Sequence, residues 1–170
     1  MNLSEYIRDI PDFPVKGILF KDITPLLKSP AAFGSAICMM SGYYDTDGLD
    51  VIVGIEARGF LFASALAYIM KKPLVPLRKE GKLPFEKHTV SFSLEYADDV
   101  LQIHKDAIPS GSRVLIVDDL LATGGTMDAA TQLVRKSGGI VLGLIVLVEL
   151  TSLQGRTKLR DYNVSSLIKY

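Results

Sequence analysis

With 170 residues, 48% of them apolar, and 19 basic side chains matched by 19 acidic ones, the chain has too much burial capacity for disorder and no net charge with which to grip nucleic acid in bulk. That length fits one globular domain, burying roughly 70% of the surface of the unfolded chain, and is short for two. The one cysteine, Cys38, excludes an internal disulfide.

The start, Met1 to Asp9, is polar and charged, without the basic opening and apolar run of a signal peptide, so a cytoplasmic location is expected. Residues 9–28 contain Pro11, Pro14, Gly17 and Pro25, and read as an irregular segment laid over the domain. A helix is expected over 31–44, with Cys38 on its buried face. Strand 51–55 precedes a helix over 59–70, where Phe60, Leu61, Ala63, Ser64, Ala67 and Tyr68 recur at helical spacing, and strand 74–77 follows. Residues 81–102 break the alternation. Thr89 to Tyr96 has strand character but arrives after Gly81 and Pro84 with no helix between, as a β excursion or mobile lid. Strand 113–117, a helix over 127–136 stopped by Gly138-Gly139, strand 141–148 and a further strand over 164–168 complete the chain. The longest apolar run, 140–148, is about half the length of a membrane-spanning helix. Strands lacking strict polar alternation, with helices between them, predict an α/β fold: a central parallel sheet flanked by helices. His88 and His104 stand alone, without zinc-ligand spacing, and are expected at the surface.

The first four expected strands each run into a polar segment: Glu56-Ala57-Arg58-Gly59, Arg78-Lys79-Glu80-Gly81-Lys82, residues 118–126, and Glu149-Leu150-Thr151-Ser152. Ligands of open parallel sheets bind beyond the carboxyl ends of the strands, so these segments should line one crevice. The third carries the most chemistry. After Asp118-Asp119, the loop Ala122-Thr123-Gly124-Gly125-Thr126 offers two glycines for close backbone approach, two hydroxyls, and the positive end of the following helix. Such a loop suits a phosphate. The acid pair would repel a bare phosphate, so the ligand should also bring hydroxyl donors, a metal or developing positive charge. A ribose phosphate satisfies that demand. Neither a nucleoside-triphosphate loop nor a dinucleotide fingerprint is present.

Residues 114–126 resemble the PRPP (5-phosphoribosyl-1-pyrophosphate) signature of type I phosphoribosyltransferases. Phe13-Pro14, residues 17–27, 78–84, Ser93-Leu94-Glu95-Tyr96 and 148–155 resemble adenine phosphoribosyltransferases. The resemblance implies the type I fold as a single domain, 1–170, with an N-terminal hood at about 9–28 and a mobile lid at about 81–102. It implies the reaction of adenine with PRPP to AMP and pyrophosphate, as purine salvage. Asp118 and Asp119 would hold the ribose hydroxyls and face the anomeric carbon, and Glu95 would transfer a proton at the purine. Ala122, Thr123, Gly124, Gly125 and Thr126 would bind the 5′-phosphate, and Arg58, Arg78, Lys79 and Lys82 the pyrophosphate. Phe20 would stack on adenine, backbone groups of Leu19 and Lys21 would read its edge, and Leu150 would close the apolar side. Mg²⁺ is implied through the pyrophosphate it chelates, with no dedicated protein cage. The partners implied are small molecules and a second copy in a homodimer, with no nucleic acid and no membrane. Glu56 stands where relatives often carry Asp. Another purine as acceptor, or a sensor of PRPP without catalysis, are the alternatives; the sensor is disfavoured because a DNA-binding domain would need spare length.

Overall fold

The computed structural model describes residues 1–93 and 98–170, with the side chains of Ser93 and Asp98 left aside, and the chain forms two compact units, Met1–Met39 and Met40–Tyr170. In the first unit the prolines bound short elements instead of leaving the segment irregular. Strand β1 (Arg8–Pro11) pairs antiparallel with β2 (Leu19–Asp22), Ile10 opposite Phe20. The connection is closed by Phe13 N–H donating to Ile18 O and Gly17 N–H to Asp12 Oδ1 at 2.7 Å. Helix α1 (Thr24–Lys28) accepts Pro25 in its first turn, where no intrahelical N–H is needed, and the Asp22 carboxylate takes the Thr24 N–H at 2.9 Å.

Helix α2 (Pro30–Ser41) ends three residues before the expected limit. Gly42 follows, Tyr43 and Tyr44 close the end through short-range bonds to Met40 O and Ser41 O, and the Tyr44 hydroxyl donates to Leu144 O at 3.1 Å. Cys38 is exposed, contrary to expectation. Ala36, Ile37 and Met40 occupy the buried stripe of α2, and the helical period turns Cys38 away from it.

The second unit is built on one sheet of seven strands. Its elements in chain order are β3 (Val51–Ile55), α3 (Gly59–Met70), β4 (Leu74–Lys79), β5 (Lys87–Ser93), β6 (Asp98–His104), β7 (Arg113–Leu121), α4 (Gly125–Lys136), β8 (Ile140–Glu149) and β9 (Val164–Lys169). The spatial order is β5-β6-β4-β3-β7-β8-β9. Strands β4, β3, β7, β8 and β9 run parallel, whereas β6 pairs antiparallel with β4 and β5 with β6. The sheet is therefore mixed, not wholly parallel. No helix separates β4 from β5, and without a crossover the chain can only return beside itself as a hairpin.

Every residue of β3 is buried, as a strand between two others and covered on both faces must be. Alternate residues Val51, Val53 and Ile55, with Val114 and Ile116 of β7 and Leu144 and Val146 of β8, share a core with Ala129, Ala130, Leu133 and Val134 of α4. Ile52 and Leu115, pointing the other way, are equally inaccessible. His88 and His104 are half-buried on the hairpin strands, not at the surface; the His104 ring meets the Phe85 ring edge-on at 6.0 Å. Among the described residues no helix is long and apolar enough to cross a membrane.

Two features position the site. Strand β3 is followed through α3 by β4 on one side and has β7 on the other, so the chain leaves the carboxyl ends of β3 and β7 in diverging directions and opens a crevice. Strand β7 also runs four residues beyond the expected 113–117, because β8 continues alongside to Glu149 and supplies partners: Asp118 opposite Val146, Leu121 opposite Glu149. The acid pair thus lies within a strand, not in a loop.

Candidate active site

A cleft of about 420 Å³ lies at this switch point, lined by Glu56–Arg58 after β3, Lys79 of β4, Asp99 and Leu101 of β6, and residues 118–127. Its floor is the acid pair, Asp118 at 9% and Asp119 at 5% exposure. Gly59, the first residue of α3, lets the helix press against the end of β7: a Cβ there would sit 2.6 Å from Asp118 Oδ1 and 3.0 Å from Val117 O. Asp118 Oδ1 accepts the Asp119 N–H at 2.9 Å. Arg58 Nη2 stands 2.9 Å from Asp119 Oδ2. That contact is an ion pair, and among the described residues no hydrogen bond of regular geometry reaches this buried oxygen.

Burial pushes the Asp118 carboxyl well above the ordinary range, and the neighbouring Asp119 charge pushes it further. Burial also raises Asp119, against the Arg58 charge that opposes the rise. Both groups are thus poised to welcome positive charge in the cleft.

Glu56 does the opposite. Burial alone would raise its carboxyl, yet the Lys82 ammonium, the Lys79 N–H at 2.8 Å and Arg78 Nε at 3.1 Å all bond to it and hold it at about 2. It fastens the end of β4 to the end of β3. Arg78 is kept with its guanidinium carbon 5.9 Å from the Phe60 ring centroid. Lys79 faces the cleft and pairs with Asp99 of the hairpin at 2.8 Å. Of the four basic residues singled out from sequence, Arg58 and Lys79 line the cleft, while Arg78 and Lys82 are gathered beside it by Glu56.

On the opposite wall, Ala122, Thr123, Gly124, Gly125 and Thr126 come together as expected. Gly124 takes a left-handed conformation (φ 82°) that turns the chain into α4. Asp128 N–H makes the first helical bond, to Gly124 O, so the amides of Gly125, Thr126 and Met127 have no carbonyl one turn back and open toward an anion. Leu150 does not line this cleft. Its N–H donates to Leu121 O at 2.9 Å, beside the start of the loop.

Leu19, Phe20 and Lys21 belong to β2 in the first unit. There the Phe20 ring meets Phe13 edge-on at 5.1 Å, and the buried Lys21 ammonium is bound by Asp9 at 2.6 Å. Glu95 lies outside the described residues. Neither the tying role of Glu56 nor the presence of Asp99 is among the expectations drawn from the residues alone. An acid among four basic residues at neighbouring strand ends was a usable signal for the first, whereas nothing local marked the second.

An acid-floored cleft that faces a phosphate-suited helix end belongs to proteins that handle phosphorylated sugars, and the model of the phosphoribosyl transferase domain matches residues 23–169 of this chain. Adenine phosphoribosyltransferase of Pseudothermotoga lettingae is 54% identical over 170 residues, 100% of both chains. The crystal structure of the Thermoanaerobacter pseudethanolicus enzyme of that name superposes with a TM-score of 0.96 at 53% identity, covering 99% of this chain and 98% of that one. The Saccharomyces cerevisiae enzyme, complexed with D-2,5-dideoxy-2,5-imino-altritol 1,6-bisphosphate and adenine, gives 0.92 at 40% identity, with 97% and 96% covered. The chain belongs to the adenine phosphoribosyltransferase family, and it is a pentosyltransferase.

The two oppositely shifted carboxyls make opposite predictions for stability. Glu56 falls from an ordinary 4.5 to about 2 on folding, so its ionised contacts stabilise the fold above about pH 4.5 and are lost as pH falls toward 2. Asp118 rises above its ordinary 3.8, so the fold is favoured below that value and loses this contribution as pH rises through the raised one. At neutral pH, Glu56→Gln should lower the melting temperature of the ligand-free protein by several degrees and Asp118→Asn should raise it. Both differences should shrink toward about pH 3. Thermal melts across that range check the signs; a stabilising Glu56→Gln would contradict the tying role.

Proposed function

We propose that this cleft transfers the 5-phosphoribosyl group of PRPP to adenine, giving AMP and pyrophosphate. The observation that carries the reading is the buried acid pair set between Arg58 and the amino end of α4 in one cleft. The loop 122–126 takes the 5′-phosphate through backbone amides and hydroxyls. Asp118 and Asp119 accept hydrogen bonds from the ribose hydroxyls, which a vicinal diol can donate and carboxylates can only accept. As the bond from the anomeric carbon to pyrophosphate breaks, the ribosyl group becomes cationic and the same carboxylates stabilise it. N9 of adenine then bonds to that carbon. Arg58 and Lys79 hold the departing pyrophosphate, with Arg78 and Lys82 supplied from the Glu56 cluster.

In this reading the chain is one functional domain, with residues 9–28 as a hood and 81–102 as a lid that excludes water from the donor. Phe20 stacks on the purine, Leu19 and Lys21 read its edge with backbone groups, and Leu150 closes its apolar side. Glu95 takes the proton that leaves the imidazole ring. Among the described residues no group of three or more His, Cys, Asp or Glu could hold a metal. Asp119 Oδ2, buried and without a regular hydrogen bond, suits a Mg²⁺ that draws most of its oxygens from pyrophosphate and water, and Asp119 would hold it through that water. When bound, the ion would offset charge on the leaving group. Exposed Leu61 and Tyr68, on one face of α3, support assembly as a homodimer, which sedimentation velocity would read out. A cytoplasmic location follows from the donor, whose charge keeps it from crossing membranes.

With Mg²⁺ and PRPP present, AMP should form from adenine faster than the corresponding nucleotides form from hypoxanthine or guanine. Chromatography of the products decides it, and preference for an oxopurine would refute adenine as the acceptor. Asp119→Asn and Glu95→Gln should each lower kcat by about 100-fold or more, with smaller changes in PRPP and adenine affinity. Unchanged kcat in single-turnover experiments would remove the affected residue from the chemistry.

A further inference from the structure

The segment 149–156 meets the start of the phosphate loop through its main chain. Strand β8 ends at Glu149, in register with Leu121, the last residue of β7, and Leu150 N–H donates to Leu121 O at 2.9 Å. The chain then turns through Gln154 (φ 52°) and delivers the buried Gly155 against the loop. A Cβ on Gly155 would lie 2.2 Å from Ala122 O and 3.0 Å from Gly124 N; one on Gly124 would lie 2.4 Å from Gly155 O. Neither clash can be relieved by rotating a side chain, because the opposing atoms are main chain.

The next residue anchors the segment. Arg156 returns to Glu149 with two parallel bonds, Nε to Oε1 at 2.6 Å and Nη2 to Oε2 at 2.7 Å, and its Nη1 donates to Val164 O at 2.8 Å. Ser166 Oγ donates to the same buried carboxylate at 2.6 Å. The guanidinium holds the Glu149 carboxyl below its ordinary range, so the clasp stays ionised at neutral pH. A short loop clamped at its base thus presses one glycine onto another.

We propose that Gly155, held by the Glu149–Arg156 clasp, is a positioning residue: it sets the backbone of residues 122–125 so that the amides opening α4 converge on the 5′-phosphate. The proposal rests on the reading of that loop as the sugar-phosphate site and adds a residue group about thirty positions away that the reading does not include. Gly155 touches no substrate in this scheme. Its effect is on where the Gly125 and Thr126 amides point, and it should therefore register in binding at that loop and not at the pyrophosphate side of the cleft.

The test is calorimetric titration of the full chain, with Mg²⁺, by ribose 5-phosphate and separately by pyrophosphate, for the wild type, Gly155→Ala and Arg156→Met, alongside melting temperatures and steady-state kinetics. Misdirecting one or two charge-assisted hydrogen bonds should weaken ribose 5-phosphate binding about tenfold or more in Gly155→Ala. Pyrophosphate affinity should stay within about twofold, and KM for PRPP should rise more than kcat falls. Arg156→Met should shift the same ratio in the same direction by a smaller factor, and it decides alone if Gly155→Ala does not fold. Equal weakening of both ligands, or of neither, overturns the proposal. A wild type that binds ribose 5-phosphate but makes no AMP defeats the proposed reaction while the affinity ratio still judges Gly155. A wild type that binds no ribose 5-phosphate defeats both.

Discussion

Two adjacent carboxylates buried at the end of a strand are the constraint around which this structure is organised. Asp118 and Asp119 are nearly inaccessible, and each is pushed toward its neutral form by burial. A protein selected for stability alone would not keep such a pair, since burying like charges together is costly unless something compensates. Here the compensation is partial. Arg58 approaches Asp119, and a backbone N–H serves Asp118, leaving unmet demand for a cation or for hydroxyl donors at the floor of the cleft. The tight seating of Gly59 against Asp118 Oδ1 serves the same end, because any larger residue would open the space between α3 and β7.

The cleft walls answer that charge in different ways. On one side, Glu56 collects Arg78, Lys82 and the Lys79 N–H, so a concentration of positive charge is held by an acid that stays ionised through the neutral range. On the other, the positive wall is made without side-chain charge, from amides at the start of α4 that the left-handed turn at Gly124 directs. Side chains suit a leaving group that must depart, since they can follow it. Fixed amides suit a phosphate that stays with the product.

The hairpin β5–β6 ties the cleft to the edge of the sheet. Lys79 on β4 and Asp99 on β6 meet across it, and Lys136 at the end of α4 donates to Thr89 O of β5 at 3.2 Å. The hairpin is thus tied to β4 at the cleft and to the far end of α4.

Much of this was legible in the residues themselves. Strand β3 and helix α3 fall where apolar runs, helical spacing and flanking turns put them, because a fully buried strand and a helix of apolar residues between turns are local patterns. The loop 122–126 was equally plain, since small residues before a helix are the local chemistry of an anion site. Other features depended on neighbours far along the chain. The extension of β7 through the acid pair needed β8 beside it, the antiparallel hairpin needed an available sheet edge, and Cys38 turned outward because Ala36, Ile37 and Met40 claimed the buried stripe. The tying role of Glu56 and the pressure of Gly155 on Gly124 joined residues more than twenty positions apart. The sequence by itself determined which segments become strands and helices and which residue types can hold a sugar phosphate, because those follow from spacing and side-chain chemistry. Only the tertiary structure decided which charges oppose one another and which backbones touch, because those depend on distances that arise once the strands are laid side by side.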